Sequence, residues 1–129
     1  ELRGFELLPE WRPTDRAGTR SGFVRVPMLV ATAPGASLSF AFRGSTIGIL
    51  GPAGPDAGQI EFSIDQGPYQ TVDLFTRWSR GLHLPWSHVL ASELEDREHV
   101  LRLRVAPTRH KSSRGTAVRI AYFLTNSGD

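Results

Sequence analysis

The stretch Gln59-Ile60-Glu61-Phe62-Ser63-Ile64-Asp65 decides the fold class. Side chains alternate across an extended chain, so Ile60, Phe62 and Ile64 fall on one face while Gln59, Glu61, Ser63 and Asp65 fall on the other. One face suits a core and the other suits water. The continuation Gln66-Gly67-Pro68 reads as a tight hairpin connection, with Asp65 able to bond its own backbone and Gly67 free to take a positive φ. The same alternation recurs upstream, where Leu38, Phe40 and Phe42 oppose Ser37, Ser39, Ala41 and Arg43. Downstream, Leu101, Leu103 and Val105 oppose Arg102 and Arg104, and Val118, Ile120, Tyr122 and Leu124 oppose Ala117, Arg119 and Ala121. The outward positions predict solvated side chains for Arg102, Arg104 and Arg119.

Residues 28–33, 46–50 and 69–74 add further short strands, with weaker candidates at 5–8 and 23–26. Thirteen Gly and nine Pro leave little room for a long helix. Only 86–95 admits a helix, and it reads equally well as a strand followed by a turn. The expectation is an all-β antiparallel sandwich of jelly-roll type, with about eight or nine strands.

A chain of 129 residues, 40% hydrophobic and 22% charged, fits one such domain spanning 1–129. Its charge is only +2, although fourteen of the fifteen cations are Arg, so no nucleic-acid partner is expected. The basic cluster of Arg109, His110, Lys111 and Arg114 lacks neighbouring aromatics for base stacking and reads as a surface loop that could meet phosphate or an acidic polysaccharide. With no Cys there is no disulfide, thiolate nucleophile or cysteine zinc site. No apolar run approaches a membrane span, so no membrane partner is expected. The chain begins at Glu1 without Met or a leader, which reads as a piece of a longer protein.

Catalytic motifs are weak. There is no Gly-x-Ser-x-Gly elbow, phosphate loop or His-Glu-x-x-His motif. Asp96-Arg97-Glu98-His99 has the Asp-x-x-His spacing of some esterase triads, but it reads as a charged turn leading into the strand 100–105. The carboxylates Glu93, Glu95, Asp96 and Glu98 read as a solvated turn rather than a glycosidase pair, and each of the four His as packed or hydrogen-bonded. No metal or organic cofactor is expected, and no acidic loop predicts a structural calcium.

Counting strands places the loops 51–58, 75–82 and 106–116 at one end of the sandwich. These loops and their flanks carry Asp56, Arg77, Trp78, Ser79, Arg80, His83, Trp86, His110 and Lys111. An indole stacks on the C–H face of a pyranose while Asp, Arg and His direct hydrogen bonds to its hydroxyls, so the mixture suits a sugar. Core packing is the competing reading for each Trp.

Several long motifs also carry a resemblance. They are Trp11-Arg12-Pro13-Thr14-Asp15, Thr19-Arg20-Ser21-Gly22-Phe23 with Val26-Pro27-Met28-Leu29, Gly54-Pro55-Asp56-Ala57-Gly58, Asp73-Leu74-Phe75-Thr76-Arg77-Trp78-Ser79 and Leu82-His83-Leu84-Pro85-Trp86. Together they resemble the β-sandwich accessory domain of SGNH (GDSL-type) hydrolases of environmental bacteria, over about residues 5–126. The resemblance implies a jelly-roll module from a larger multidomain hydrolase, secreted or periplasmic, whose partners are a polysaccharide or oligosaccharide and the SGNH-type catalytic domain. The catalytic Ser block is absent from this chain, so the resemblance implies an accessory rather than an enzymatic role. It places Trp11, Asp15, Arg20, Asp56, Arg77, Trp78, His83 and Trp86 in the ligand-binding set. That set suits three roles: binding a glycan, docking on the hydrolase domain, or holding the sandwich together.

Overall fold

Two layers of sheet close over the side chains that alternation turns inward. In the computed structural model, which describes residues 2–8, 18–19, 28–76, 79 and 82–126, the strands are β1 (Leu2–Arg3), β2 (Glu6–Leu8), β3 (Gly18–Thr19), β4 (Met28–Ala31), β5 (Ser37–Gly44) and β6 (Ile47–Ala53). They continue as β7 (Gln59–Ile64), β8 (Gln70–Asp73), β9 (Leu82–Ala91), β10 (Arg97–Val105), β11 (Val118–Ile120) and β12 (Tyr122–Thr125). The expected all-β class holds, with more strands than expected because β1 and β3 are two-residue pieces and Ala121 alone divides β11 from β12.

One layer is a five-stranded sheet in the order β1-β5-β10-β7-β8. The other is made of two shorter sheets, β11-β4-β2 and β12-β6-β9-β3, joined through 118–125. The first half of that run pairs with β4 and the second half with β6, and between them Ala121 N–H donates to Leu50 O at 2.8 Å. Among the described strands every pairing is antiparallel except β3 with β9.

The core follows the sequence pattern. Leu38 and Phe42 of β5, Ile60 and Phe62 of β7, and Leu101, Leu103 and Val105 of β10 meet Ala31, Ile47, Ile49, Val118 and Ile120 from the opposite layer. Phe40 stacks on Phe123 across the layers at 4.2 Å between ring centres. Each fully buried Leu or Ile stabilises the fold by roughly 1.5–3 kcal/mol through the apolar surface it removes from water.

Three local expectations change. At the hairpin the positive φ values belong to Asp65 (52°) and Gln66 (64°), while Gly67 N–H donates to Ile64 O at 2.9 Å. Two consecutive left-handed residues match the right-handed twist of a two-residue hairpin, so strand twist prevails over the glycine's freedom. The segment 86–95 continues β9 to Ala91 and then turns, and 51–53 belongs to β6 rather than to a loop. In both, the β6–β9 ladder supplies backbone partners from Ile47↔Ala91 to Ala53↔Leu84 and so favours extension. The candidate strand 23–26 lies outside the described residues.

Candidate functional site at the loop end

The three loops meet at one end of the sandwich. Loop 54–58 turns back on itself through Ala57 N–H to Gly54 O at 3.0 Å. Loop 106–116 fastens to it through Arg114 N–H to Pro55 O and Ala117 N–H to Asp56 O, both at 2.8 Å. Buried Ser113 adds its hydroxyl, which donates to Ala57 O at 2.7 Å. Loop 75–82 is held by Ser79, whose hydroxyl accepts from Thr76 N–H at 2.9 Å and lies 3.5 Å from Ala53 O, and by Phe75 stacked on His110 at 4.9 Å. The basic segment 109–114 is therefore tied down at His110, Ser113 and Arg114.

Asp56 and Arg119 form the electrostatic centre. Both guanidinium NH groups of Arg119 donate to the two carboxylate oxygens of Asp56, each at 2.8 Å. Arg119 is not the solvated strand residue that alternation predicts: its side chain is only 11% exposed. Gly51 explains the inversion, because any Cβ there would collide with the Arg119 carbonyl, so the bare backbone lets β11 pass close over β6. Burial alone would raise the Asp56 pKa, but the hydrogen bonds and charge of Arg119, helped by His83, outweigh it and hold the carboxyl below its ordinary value. A bidentate Arg pair across 63 residues locks the loop to the strand.

His83 is 1% exposed and stands against Gly54, where a Cβ would overlap the imidazole ring. Trp86, opposite Gly51 on β9, is 39% exposed. With Leu74, His88 and Arg119 it borders a void of about 10 Å³, room for one water molecule at most. Burial pushes the His88 pKa down, and the charge of Asp73 works against that shift.

Of the eight residues selected from the sequence, Asp56, His83 and Trp86 lie among the described residues: Asp56 pairs with Arg119, Trp86 borders the same void as Arg119, and His83 acts on the Asp56 charge. Trp11, Asp15, Arg20, Arg77 and Trp78 lie outside them. Sequence reasoning missed Arg119, and Ser113 as the buried fastener. Their signal was the pair Gly51 and Gly54, which marks where backbone or ring must approach closely.

A second Asp pair sits elsewhere, at the β7–β8 hairpin. Asp65 accepts from Val100 N–H at 2.8 Å and from His99 Nδ1 at 2.6 Å. The other ring nitrogen of His99 faces Glu95 O at 2.7 Å. Both neighbours are acceptors, so the doubly protonated imidazolium is the form of His99 that satisfies both contacts. The bond from His99 pulls the Asp65 pKa down, and the bond to Asp65 pushes that of His99 up. The Asp-x-x-His spacing thus yields a histidine paired with Asp65 rather than Asp96.

No family model matches the chain, and no curated protein matches its sequence. Solved structures do match. A two-domain esterase active on acetylated mannans, co-crystallised with mannopentaose, superposes with TM-score 0.68 and 15% identity, covering 100% of this chain and 34% of that one. A family two carbohydrate esterase from Cellvibrio japonicus matches with TM-score 0.52 and 17% identity, over 97% of this chain and 31% of that one. The exo-β-1,3-galactanase of Phanerochaete chrysosporium, with galactose, gives TM-score 0.56 and 18% identity over 95% of this chain and 26% of that one. The chain spans about a third of the length of the esterases it matches. It has the β-sandwich fold found within these esterases, in keeping with the accessory-domain resemblance in its motifs.

Proposed function

We propose that the chain is a noncatalytic carbohydrate-binding or substrate-targeting module accompanying an SGNH-type esterase, secreted or periplasmic with its parent. The observation that carries this reading is the exposed indole of Trp86 beside three loops cross-tied into one end of a rigid sandwich. A fixed indole stacks on a sugar's C–H face at little entropic cost. Asp56 and His83 act in this reading by holding the loops, and Trp11, Asp15, Arg20, Arg77 and Trp78 complete the contact surface. The matched structures support it, since their names refer to acetylated mannans, mannopentaose and galactose.

A glycan microarray on the isolated chain, followed by calorimetry on any hit, tests the reading. Trp86→Ala is expected to weaken binding at least about tenfold with the melting temperature unchanged. Silence across neutral and acidic glycans overturns it.

One feature favours a second reading, docking on the hydrolase without binding sugar. Val89, Tyr122 and Leu124 are exposed on one face of the second layer, with Leu124 and Val89 both opposite Gly48. This reading fails if adding the hydrolase half changes neither its activity nor its stability.

A further inference from the structure

The outer face of the five-stranded sheet lies apart from the loop end and carries its own chemistry. Cross-strand register sets two rows on it. One runs Ser39, Arg102, Ser63; the other runs Arg3, Ser37, Arg104, Glu61, Thr71. Alternation turns both away from the core, because their strand neighbours Leu38, Phe62, Leu101 and Leu103 are buried inward.

Three of these side chains form a tied unit. Arg104 donates from Nε to Glu61 at 3.0 Å and its guanidinium carbon lies over the Tyr69 ring, 3.8 Å from its centre. Glu61 thus offsets much of the Arg104 charge, and the tyrosine ring adds a cation–π contact. Arg102 differs, since it makes no ion pair among the described residues. It stands between two hollows, one of about 330 Å³ bordered by Ser37, Ser39, Tyr69 and Arg104, the other of about 350 Å³ bordered by Asp65, Gln66, Arg97 and Val100, where the Asp65 carboxylate is already engaged by His99, Arg97 and the Val100 amide. In register with it, buried Ser63 has a hydroxyl with no hydrogen-bond partner among the described residues, a group costly to leave unmet.

We propose that this face is a second glycan-binding surface, selective for carboxylate-bearing sugars, with Arg102 as the carboxylate receptor. The planar guanidinium of Arg102 accepts a sugar carboxylate in two parallel hydrogen bonds. Ser37 and Ser39 meet ring hydroxyls on one side, and Tyr69 offers its ring. Two hollows on either side of Arg102, whose neighbours Arg104 and Arg97 are each paired with a carboxylate, suit a chain of acidic sugars rather than a small isolated anion. The inference rests on the reading of the chain as a glycan binder but uses none of the loop-end residues.

The probe is trigalacturonate, compared with its methyl ester, which keeps the rings and removes the charge. Titration into 15N-labelled protein is expected to shift the amides of Ser37, Ser39, Leu103 and Arg104 and the Arg102 side-chain signal, with affinity falling as salt rises. Arg102→Gln and the methyl ester should each weaken binding by about tenfold or more. Trp86→Ala should leave it unchanged. Glu61→Gln should tighten it a few-fold by removing a like charge, an effect that a merely structural role does not produce. The proposal is overturned if trigalacturonate does not bind, if it shifts the amides of 109–114 instead, or if binding survives Arg102→Gln. Loss of neutral-glycan binding in Trp86→Ala with acidic binding retained upholds both sites. Acidic binding with a silent neutral panel upholds this one alone.

Discussion

The pairs Asp56–Arg119 and Asp65–His99 perform the same mechanical task with different cations. Each fastens a turn at the end of β6 or β7 to a strand far along the chain, 63 residues away in one case and 34 in the other. A guanidinium is a permanent cation, whereas an imidazole loses its charge as pH rises through its folded pKa, which the bond to Asp65 raises for His99. The loop end is therefore clamped unconditionally and the hairpin conditionally. Where a site must keep its shape through changing surroundings, the permanent cation is the suitable one.

The comparison can be broken most severely at Arg119. Arg119→Met leaves the Asp56 carboxylate half-buried without its bidentate partner, and a loss of about 2–3 kcal/mol is expected, toward the lower end for a broken buried pair because Asp56 retains some contact with water. Differential scanning calorimetry should show a melting temperature lower by roughly 10 °C. A change under two degrees would mean that the loop end is held by its backbone bonds alone.

Asp65→Asn is expected to cost less, about 1–2 kcal/mol near pH 5.5, and its cost should depend on pH. The folded His99 pKa is raised, so its share of stability is complete below the ordinary value of 6.5 and is lost as pH rises through the higher folded value. The folded Asp65 pKa is lowered, so its share is complete above 3.8 and is lost as pH falls through the lower folded value. Wild type and variant should thus differ most between 3.8 and 6.5, and the gap should narrow as pH rises through the folded His99 value, in parallel urea titrations. Arg119→Met should keep its full deficit at pH 9. A pH-independent gap for Asp65→Asn would show that the Val100 amide, not the imidazolium, is what Asp65 serves.

Arg97→Ala sharpens the contrast from below. Arg97 approaches Asp65 at 3.4 Å but its side chain is 52% exposed, so its removal should change stability by no more than about 0.5 kcal/mol. A larger loss would assign the hairpin clamp to a three-member network rather than to the pair.

Much of the architecture was legible because alternation survives wherever one face is wet. Segments 37–43, 59–64 and 101–105 each have a clear inward set, while the grouping of the three loops also needs the strands that begin near 28, 46, 69, 83 and 117, since one missed strand would reverse the parity. Arg119 was illegible for the opposite reason: it sits at an outward position by alternation, and the close approach of its backbone to Gly51 and its pairing with Asp56 are long-range contacts. The partner of His99 was hidden by distance, since Asp96 is near in sequence and Asp65 near in space. At the site, exposure separated residues that composition treated alike. His83 and Trp86 read as equal candidates, yet one is packed against Gly54 and the other meets solvent.

The segment 118–125, which pairs with β4 through its first half and with β6 through its second, also orders the assembly of the molecule in time. During synthesis β5, β7 and β10 can zip into a nearly complete layer while β4 and β6 still wait, each with an unpaired edge, for a segment made much later. Until it arrives those edges can recruit strands from another copy. Interrupting the chain after Ala117 should therefore produce aggregates rather than a loosened monomer, because 118–125 completes the sandwich and removes that hazard.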